Sequence, residues 1–248
     1  MATASRPRLD VAKFASLEDP REMPAYAIDE AALYLQIPRA TLRSWVLGRR
    51  YPVKGGERTF RPLIRPVTED GVRLLSFFNL VEAHVLDSIR HVHEVDLVAV
   101  RRAVDFVEKR YRTRHPLAEQ PFLTDGQDLF VRELGDLLAA SAGGQKAMRE
   151  VLDAHLRRIE RDAHGVAERL FLFTRGGSHS ANEPRTVLVD PRVSFGRPVL
   201  AGTRIPTAVI AERFKAGESV EELVVDYDRS RAEIEEALRC EQSFQRAA

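Results

Sequence analysis

Cysteine is almost absent: Cys240 is the one thiol among 248 residues. A single thiol excludes an internal disulfide framework and a thiolate-cluster zinc site. The residue reads as an inert, half-buried helix position. Long apolar runs are missing too. No stretch approaches the roughly 20 residues that a bilayer-spanning helix needs, so no membrane partner is expected. The first twenty residues, MATASRPRLDVAKFASLEDP, hold no apolar core of signal-peptide length, and the expected compartment is the cytoplasm. Catalytic signatures are equally scarce: HExxH, GxSxG and a lysine-bearing phosphate loop do not occur. His91 and His93 are two apart, a spacing that does not bring side chains together on a helix. His84 lies in an apolar stretch and reads as a satisfied interior histidine. Asp87, Glu94, Asp96 and Asp105 read as scattered, solvated helix acids. The expectation is therefore no enzyme activity, no metal and no cofactor.

What is present is the composition of a globular protein. Hydrophobic residues make up 44% and charged residues 30%, which argues against wholesale disorder. The length admits two or three modules or one large domain. The net charge of +1 hides a split. Arg39, Arg43, Arg49, Arg50, Lys54, Arg58, Arg61 and Arg65 are opposed within their own stretch only by Glu57. Further on, Glu218, Glu221, Glu222, Asp226, Asp228, Glu233, Glu235, Glu236 and Glu241 face only Arg229, Arg231 and Arg239. Such asymmetry points to two partners, a polyanion for the first stretch and something else for the second.

Patterning divides the chain into five parts. Residues 1–24 form an arm. Residues 25–66 read as a winged helix-turn-helix. A short helix capped by Asp29 runs through Leu35, and Gln36-Ile37-Pro38 makes the turn. A second helix turns Thr41, Leu42, Trp45 and Val46 to one side and Arg39, Ala40, Arg43, Ser44 and Leu47 to the other. Gly48 ends it, and Val53 to Phe60 makes a hairpin turning at Gly55-Gly56. The candidate DNA-binding set is Arg39, Ala40, Thr41, Arg43, Ser44, Arg49, Arg50, Lys54 and Arg58. Arg39 and Arg43 are placed to read base edges, and Lys54 and Arg58 to meet phosphates.

Residues 67–175 read as a helical linking and dimerisation region with short strands. An apolar helix is expected over 71–92. A seam of Leu97, Val100, Val104, Val107 and Tyr111 follows. Two strands are expected over 122–131 around Asp125-Gly126. A helix over 147–161 carries Met148, Leu152 and Ile159, and a strand covers 169–174. Residues 176–184 are the expected linker. Residues 185–248 then read as a three-helix, helix-turn-helix-like domain, with helices over 207–216, 220–227 and 231–241. Gly217 ends the first, and Ser219 and Ser230 cap the others. The fold class expected is mainly α with small β elements, α+β.

Two resemblances add to this reading. Tyr26, Glu30-Ala31-Ala32, Tyr34-Leu35, Ile37-Pro38, Thr41-Leu42-Arg43 and Trp45 together resemble MerR-type headpieces. That resemblance implies a winged helix-turn-helix that binds duplex DNA as a dimer. Asp190-Pro191, Gly196-Arg197-Pro198, Gly202-Thr203-Arg204-Ile205-Pro206, Gly217-Glu218-Ser219, Glu222-Leu223 and Asp226-Tyr227 resemble the family called domain of unknown function 433. Its members are small helix-turn-helix-like proteins often linked to PIN-like nuclease toxins. Residues 25–241 as a whole resemble VapB-type antitoxins. The resemblance implies operator DNA and a PIN-like ribonuclease toxin as partners of a homodimer. Glu233, Glu235 and Glu236 have the wrong sign for phosphates, so the C-terminal part reads as protein-binding. Arg197 and Arg204 have two readings: bonds to loop carbonyls, or pairing with the carboxylates of a nuclease site. Two other functions remain open. One is a MerR-like transcription regulator whose C-terminal domain serves another partner. The other is a nucleoid adaptor without sequence specificity.

Overall fold

A computed structural model describes residues 19–53, 56–69, 71–90, 97–112, 114–119, 130–131, 142–175 and 183–247. Helix α1 (Ile28–Leu35) buries Ile28, Ala31, Ala32 and Leu35, a stripe at helical spacing. Asp29 was expected to cap it. The helix starts one residue earlier, after Ala27, and Asp29 and Glu30 occupy its first turn, where their charge favours the helix dipole. Gln36 adopts a left-handed conformation at φ 55° and reverses the chain. Helix α2 (Arg39–Leu47) follows Pro38 and buries Leu42, Trp45 and Val46. The Trp45 carbonyl accepts from the Leu63 and Ile64 amides at 2.6 and 3.1 Å, which clamps α2 onto the chain beyond the hairpin.

Strands β1 (Arg49–Val53) and β2 (Gly56–Phe60) form the expected antiparallel hairpin. The register pairs Val53 with Gly56, so Gly56 opens the second strand instead of sitting in the turn. A second hairpin, β3 (Val67–Glu69) with β4 (Val72–Leu74), occupies the start of the helix expected over 71–92. The helix starts later because of a reciprocal cap. Ser76 Oγ accepts from the Asn79 amide, and Asn79 Oδ1 accepts from the Ser76 amide, both at 3.2 Å.

Helix α3 (Phe77–Arg90) is the centre of the core. Its apolar side chains, Phe77 to Ile89, are buried by α1, by α5 (Ala142–Leu156) and by the main sheet. One flank is polar and buried as well. Glu82 accepts from Asn79 Nδ2 at 3.3 Å and faces His115 Nδ1 at 3.2 Å, and His84 Nε2 lies 3.0 Å from the His155 carbonyl. The apolar girth of this helix suggested a subunit interface. A single chain covers it. Helix α4 (Leu97–Tyr111) likewise turns Val100, Val104 and Val107 inward and leaves Val98 and Phe106 exposed. Most of 122–131 lies outside the described residues, but Phe130 and Val131 are helical and buried instead of extended.

Helix α5 ends at Leu156, short of the expected 161, and Ile159 opens a strand. Strands β5 (Ile159–Arg161), β6 (Ala167–Phe171), β7 (Val187–Val189) and β8 (Val199–Leu200) form one antiparallel sheet in sequence order. The expected linker at 176–184 therefore lies between two hydrogen-bonded neighbours, β6 and β7. Buried Arg158 ties its end down, donating to the carbonyls of Leu172, Glu183 and Pro184 at 2.8, 2.9 and 3.1 Å. Helices α6 (Thr207–Lys215), α7 (Val220–Tyr227) and α8 (Arg231–Ala247) follow. Ser219 and Ser230 cap the last two as expected, each exchanging bonds with the glutamate three residues on. Helix α8 runs past the expected end at 241 so that Phe244 meets the Tyr34 ring, centroids 5.2 Å apart. The Gln36 side-chain amide donates to the Phe173 carbonyl at 2.7 Å and to the Ser243 hydroxyl at 3.4 Å, which ties the end of α1 to the chain just beyond β6 and to α8. The fold is α+β, with eight α-helices and eight strands among the described residues. No helix among them is long and apolar enough to cross a membrane.

A second clamp sits at Asp162. Its Oδ1 accepts from the Val166 and His164 amides, and its Oδ2 takes a 2.7 Å ion pair from Arg21. The Val166 amide, with Arg21 next, holds this carboxyl at about 2, below its ordinary 3.8. An acid depressed on folding contributes stability that is fully present above its unfolded value and is lost as pH falls through its folded one. Asp162→Asn is expected to flatten the loss of melting temperature between pH 4 and pH 2. An acid limb identical to that of the unaltered protein would remove Asp162 from the account.

Candidate nucleic-acid and protein interfaces

The candidate DNA face is built at the junction of α2 and β1. Ala40 and Arg43 are exposed on α2, and Arg49 and Arg50 are exposed at the start of β1. Arg43 has Asp29 at 3.8 Å, with both side chains more than half exposed, a pairing too long and too wet to tie up its guanidinium. Arg49 and Arg50 have no ion pair among the described residues. Successive strand residues point to opposite faces, so these two do not share one: position 49 pairs with Phe60, and position 50 with Thr59. Arg58 pairs with Tyr51 in register, and Lys54 lies outside the described residues. Arg39 and Thr41 are half-buried. The Ser44 hydroxyl and Arg39 Nε are shielded from solvent with no partner among the described residues. Among the described residues of the nine expected, Ala40, Arg43, Arg49 and Arg50 are the exposed ones. Gly48 makes the junction possible. It sits at φ 71°, where a Cβ would overlap the Phe60 carbonyl oxygen and come within 3.2 Å of Pro62 Cδ.

In the C-terminal unit the acidic excess is spent internally. Arg213 donates to Glu218 at 2.8 Å and to Asp226 at 2.5 Å, joining α6 to α7. Arg231 pairs with Glu221 and with Glu235, joining α7 to α8. Arg229 lies 3.7 Å from Glu233, and Arg239 donates to Glu236 at 2.7 Å. Backbone bonds from Ser219 and Ser230, with their hydroxyls, hold the Glu222 and Glu233 carboxyls below the usual range. Burial alone would raise Glu236, but bonds from Thr174, Arg175 and Arg239 outweigh it. Glu241 is the exception: burial raises it against a 2.5 Å bond from the Thr207 hydroxyl.

The segment between β7 and α6 has the opposite character. The buried Asp190 carboxylate accepts from Arg169 Nε at 3.1 Å and from the Arg192 amide at 2.8 Å. Ser194, Phe195 and Gly196 then stand in succession at φ 47°, 57° and 75°. A left-handed conformation costs a residue with a side chain about 1–2 kcal/mol, so the turn is held against two such penalties. The holding bonds are Ser194 Oγ to the Arg204 carbonyl at 3.2 Å and Thr203 Oγ1 to the Leu200 carbonyl at 2.8 Å. Arg197 and Arg204 are exposed, and neither guanidinium has a hydrogen-bond or ion-pair partner among the described residues. The loop path is maintained by Asp190, Ser194 and Thr203, not by these arginines bonding its carbonyls. On the same segment Phe195 is 94% exposed.

This segment opens the part of the chain with a family match. Residues 187–239 match the family described as "Protein of unknown function (DUF433)". Over longer spans the chain is similar to two proteins of Mycobacterium tuberculosis (strain ATCC 25618 / H37Rv). One is named "Putative antitoxin VapB45", 28% identical over 232 residues, covering 88% of this chain and 93% of that protein. The other is named "Uncharacterized protein Rv2308", 27% identical over 225 residues, covering 88% and 89%. The crystal structure of Rv2018 from Mycobacterium tuberculosis shares the fold. Its TM-score is 0.66 at 23% identity, over 88% of this chain and 98% of that one.

Two residues of the DUF433 segment and its surroundings escaped the sequence reading. Phe195 carries no local signal in the sequence. Its left-handed φ and its exposure exist only in three dimensions. Arg158 falls within the helix expected over 147–161, yet it lies beyond the helix end, is 1% exposed and stands 4.4 Å from the Phe173 ring centre. The signal available was the doublet Arg157-Arg158 followed by the β-branched Ile159, a pattern that suits a helix end.

Proposed function

We propose that the chain is the antitoxin of a toxin–antitoxin pair, which binds its operator DNA and neutralises a PIN-like ribonuclease. In this reading residues 25–66 hold the DNA, and residues 185–248 provide the main toxin surface. Residues 67–175 link the two, and the exposed Val98 and Phe106 of α4 serve homodimer contact. The observation that carries the reading is the distribution of unpaired charge. Arg43, Arg49 and Arg50 stand exposed at the α2–β1 junction, where a polyanion can reach them. In the C-terminal unit Glu218, Glu221, Asp226, Glu233, Glu235 and Glu236 pair with its own arginines, while Arg197 and Arg204, without a partner among the described residues, are left over for a carboxylate-rich partner. The similarity to a protein named as an antitoxin supports the same reading.

DNA binding is tested by fluorescence anisotropy on the duplex upstream of the gene and on a scrambled duplex. Arg43→Ala is expected to cost about 1–3 kcal/mol on the first and to narrow the discrimination between the two. Arg50→Ala is expected to weaken both equally and to reduce the salt slope. Unchanged discrimination in Arg43→Ala would remove its base-reading role. Neutralisation is tested by co-expressing the full chain with the product of the neighbouring reading frame and assaying ribonuclease activity. A truncation before residue 185 is not a clean test, because it removes β7 and β8 from the sheet and α8 from the face of α1.

A further inference from the structure

We infer that Phe195 is the anchor by which this protein seats on its partner, inserting into an apolar slot whose rim carries carboxylates. The inference rests on the proposed antitoxin reading and names the contact residue within it. Three independent features coincide at this point. Phe195 is 94% exposed, the most exposed large apolar side chain among the described residues. It stands at φ 57° beside Ser194 at φ 47°, a conformation that asparagine and glycine tolerate far better than an aromatic residue. Strain of this kind persists only where the surroundings impose it, and it concentrates at ligand clamps.

The surroundings do impose it. The Val193 amide donates to the Asp190 carbonyl at 3.0 Å and the Gly196 amide to the Val193 carbonyl at 2.9 Å. The Ser194 hydroxyl ties the turn to residue 204. The base is packed as well: Gly196 lies against the ring of Tyr26, so the turn cannot relax inward. An aromatic side chain is thus held out in water on a rigid turn at a cost to stability, with nothing among the described residues to bury it. That is the geometry of a preorganised contact, in which the ordering cost is met before binding.

The third feature sets the partner's chemistry. Arg197 is two residues from Phe195, and the Ser194 hydroxyl bonds to the Arg204 carbonyl, so two exposed arginines with no partner among the described residues stand on the same looped segment as the ring. The neighbouring Arg192 is excluded, because Glu168 already holds it. Aromatic and arginine side chains dominate the energetics of protein interfaces. An exposed ring on a loop that also carries two exposed arginines matches a protein pocket that is apolar at its floor and acidic at its edge. A nuclease with clustered carboxylates presents such an edge. Nucleic acid is disfavoured as the occupant, since Arg192 and Arg169 are paired with Glu168 and Asp190 and no further unpaired cation adjoins the turn among the described residues.

The test uses Phe195→Asn in the full-length protein, titrated with the purified product of the neighbouring reading frame. Asparagine accepts the left-handed conformation, so the variant is expected to melt at a higher temperature than the parent. Its affinity for that product is expected to fall by about thirtyfold or more, the signature of an anchor residue. Operator binding should be unchanged. Arg197→Gln with Arg204→Gln should lower the association rate and its salt dependence. Equal affinity of parent and Phe195→Asn overturns the anchor and leaves the antitoxin reading standing. If the parent itself does not bind the neighbouring product, the antitoxin reading fails and the anchor assignment falls with it. If the parent self-associates with concentration in light scattering and Phe195→Asn does not, the occupant is a second copy and the inference is overturned.

Discussion

Replacing Arg158 by methionine is expected to remove about 3–5 kcal/mol of folding stability. The guanidinium is 1% exposed, and its three bonds to the Leu172, Glu183 and Pro184 carbonyls join the end of β6 to the chain entering β7. Burial pulls its pKa down to about 10, and Glu183 and Glu236 partly restore it, so it remains charged at neutral pH. A buried charge can often be exchanged for an apolar side chain of similar volume at little cost. Here that exchange is costly, because methionine fills the space but leaves three carbonyls without a donor. Lysine should be intermediate, since a single ammonium cannot reach three acceptors in a fork. Urea unfolding of the full chain measures the effect. A loss under about 1 kcal/mol for Arg158→Met would mean that water or a neighbour replaces these bonds. Because β7 leads directly into the Phe195 turn, the same variant should weaken partner binding more than operator binding.

Gly196→Ala is expected to have an effect of similar size from the opposite cause, excess instead of loss. At φ 75° an alanine carries about 1–2 kcal/mol of left-handed strain. Its Cβ would overlap the Tyr26 hydroxyl and lie 3.0 Å from Tyr26 Cζ, an overpacking that costs about 1–3 kcal/mol more. The hydroxyl cannot swing away, since Tyr26 is 1% exposed and bridged to Leu75. The Tyr26 hydroxyl has no partner among the described residues, so Tyr26→Phe alone should be neutral or slightly stabilising. Combined with Gly196→Ala it should recover part of the loss but not the backbone strain. Thermal melts of the four proteins in this cycle give the coupling directly. Strict additivity would show that the two residues do not press on one another.

Much of the local structure was legible in the sequence because its causes are local. The buried Leu42, Trp45 and Val46 of α2 follow from a helical period, and Ser219 and Ser230 from the glutamates three residues beyond them. The hairpin after Gly48 follows from paired glycines between strand-forming residues. Boundaries set by reciprocal contacts were not legible. Nothing in the apolar run from residue 71 distinguishes a strand ending at Leu74 from a helix in progress, until the Ser76–Asn79 exchange places the helix start at Phe77. The linker expected at 176–184 has the composition of a loop. Whether such a loop separates two bodies or joins two strands of one sheet depends on partners that sequence distance conceals.

The sequence by itself determined the helices of both ends, the serine caps of α7 and α8, the basic stretch and the acidic one, because period, propensity and charge are properties of neighbouring residues. The tertiary structure decided which of those charges are free. Arg213, Arg231 and Arg239 look no different in sequence from Arg197 and Arg204. Arg213 and Arg231 are consumed by carboxylates that folding brings to them from neighbouring helices, Arg239 by Glu236 of its own helix, and Arg197 and Arg204 have no such partner among the described residues. It also decided that an apolar helix at the centre is covered by its own chain, and that an apolar ring at the edge is not. Both outcomes depend on distances between segments far apart in the chain. Such distances are set only when the whole core closes at once.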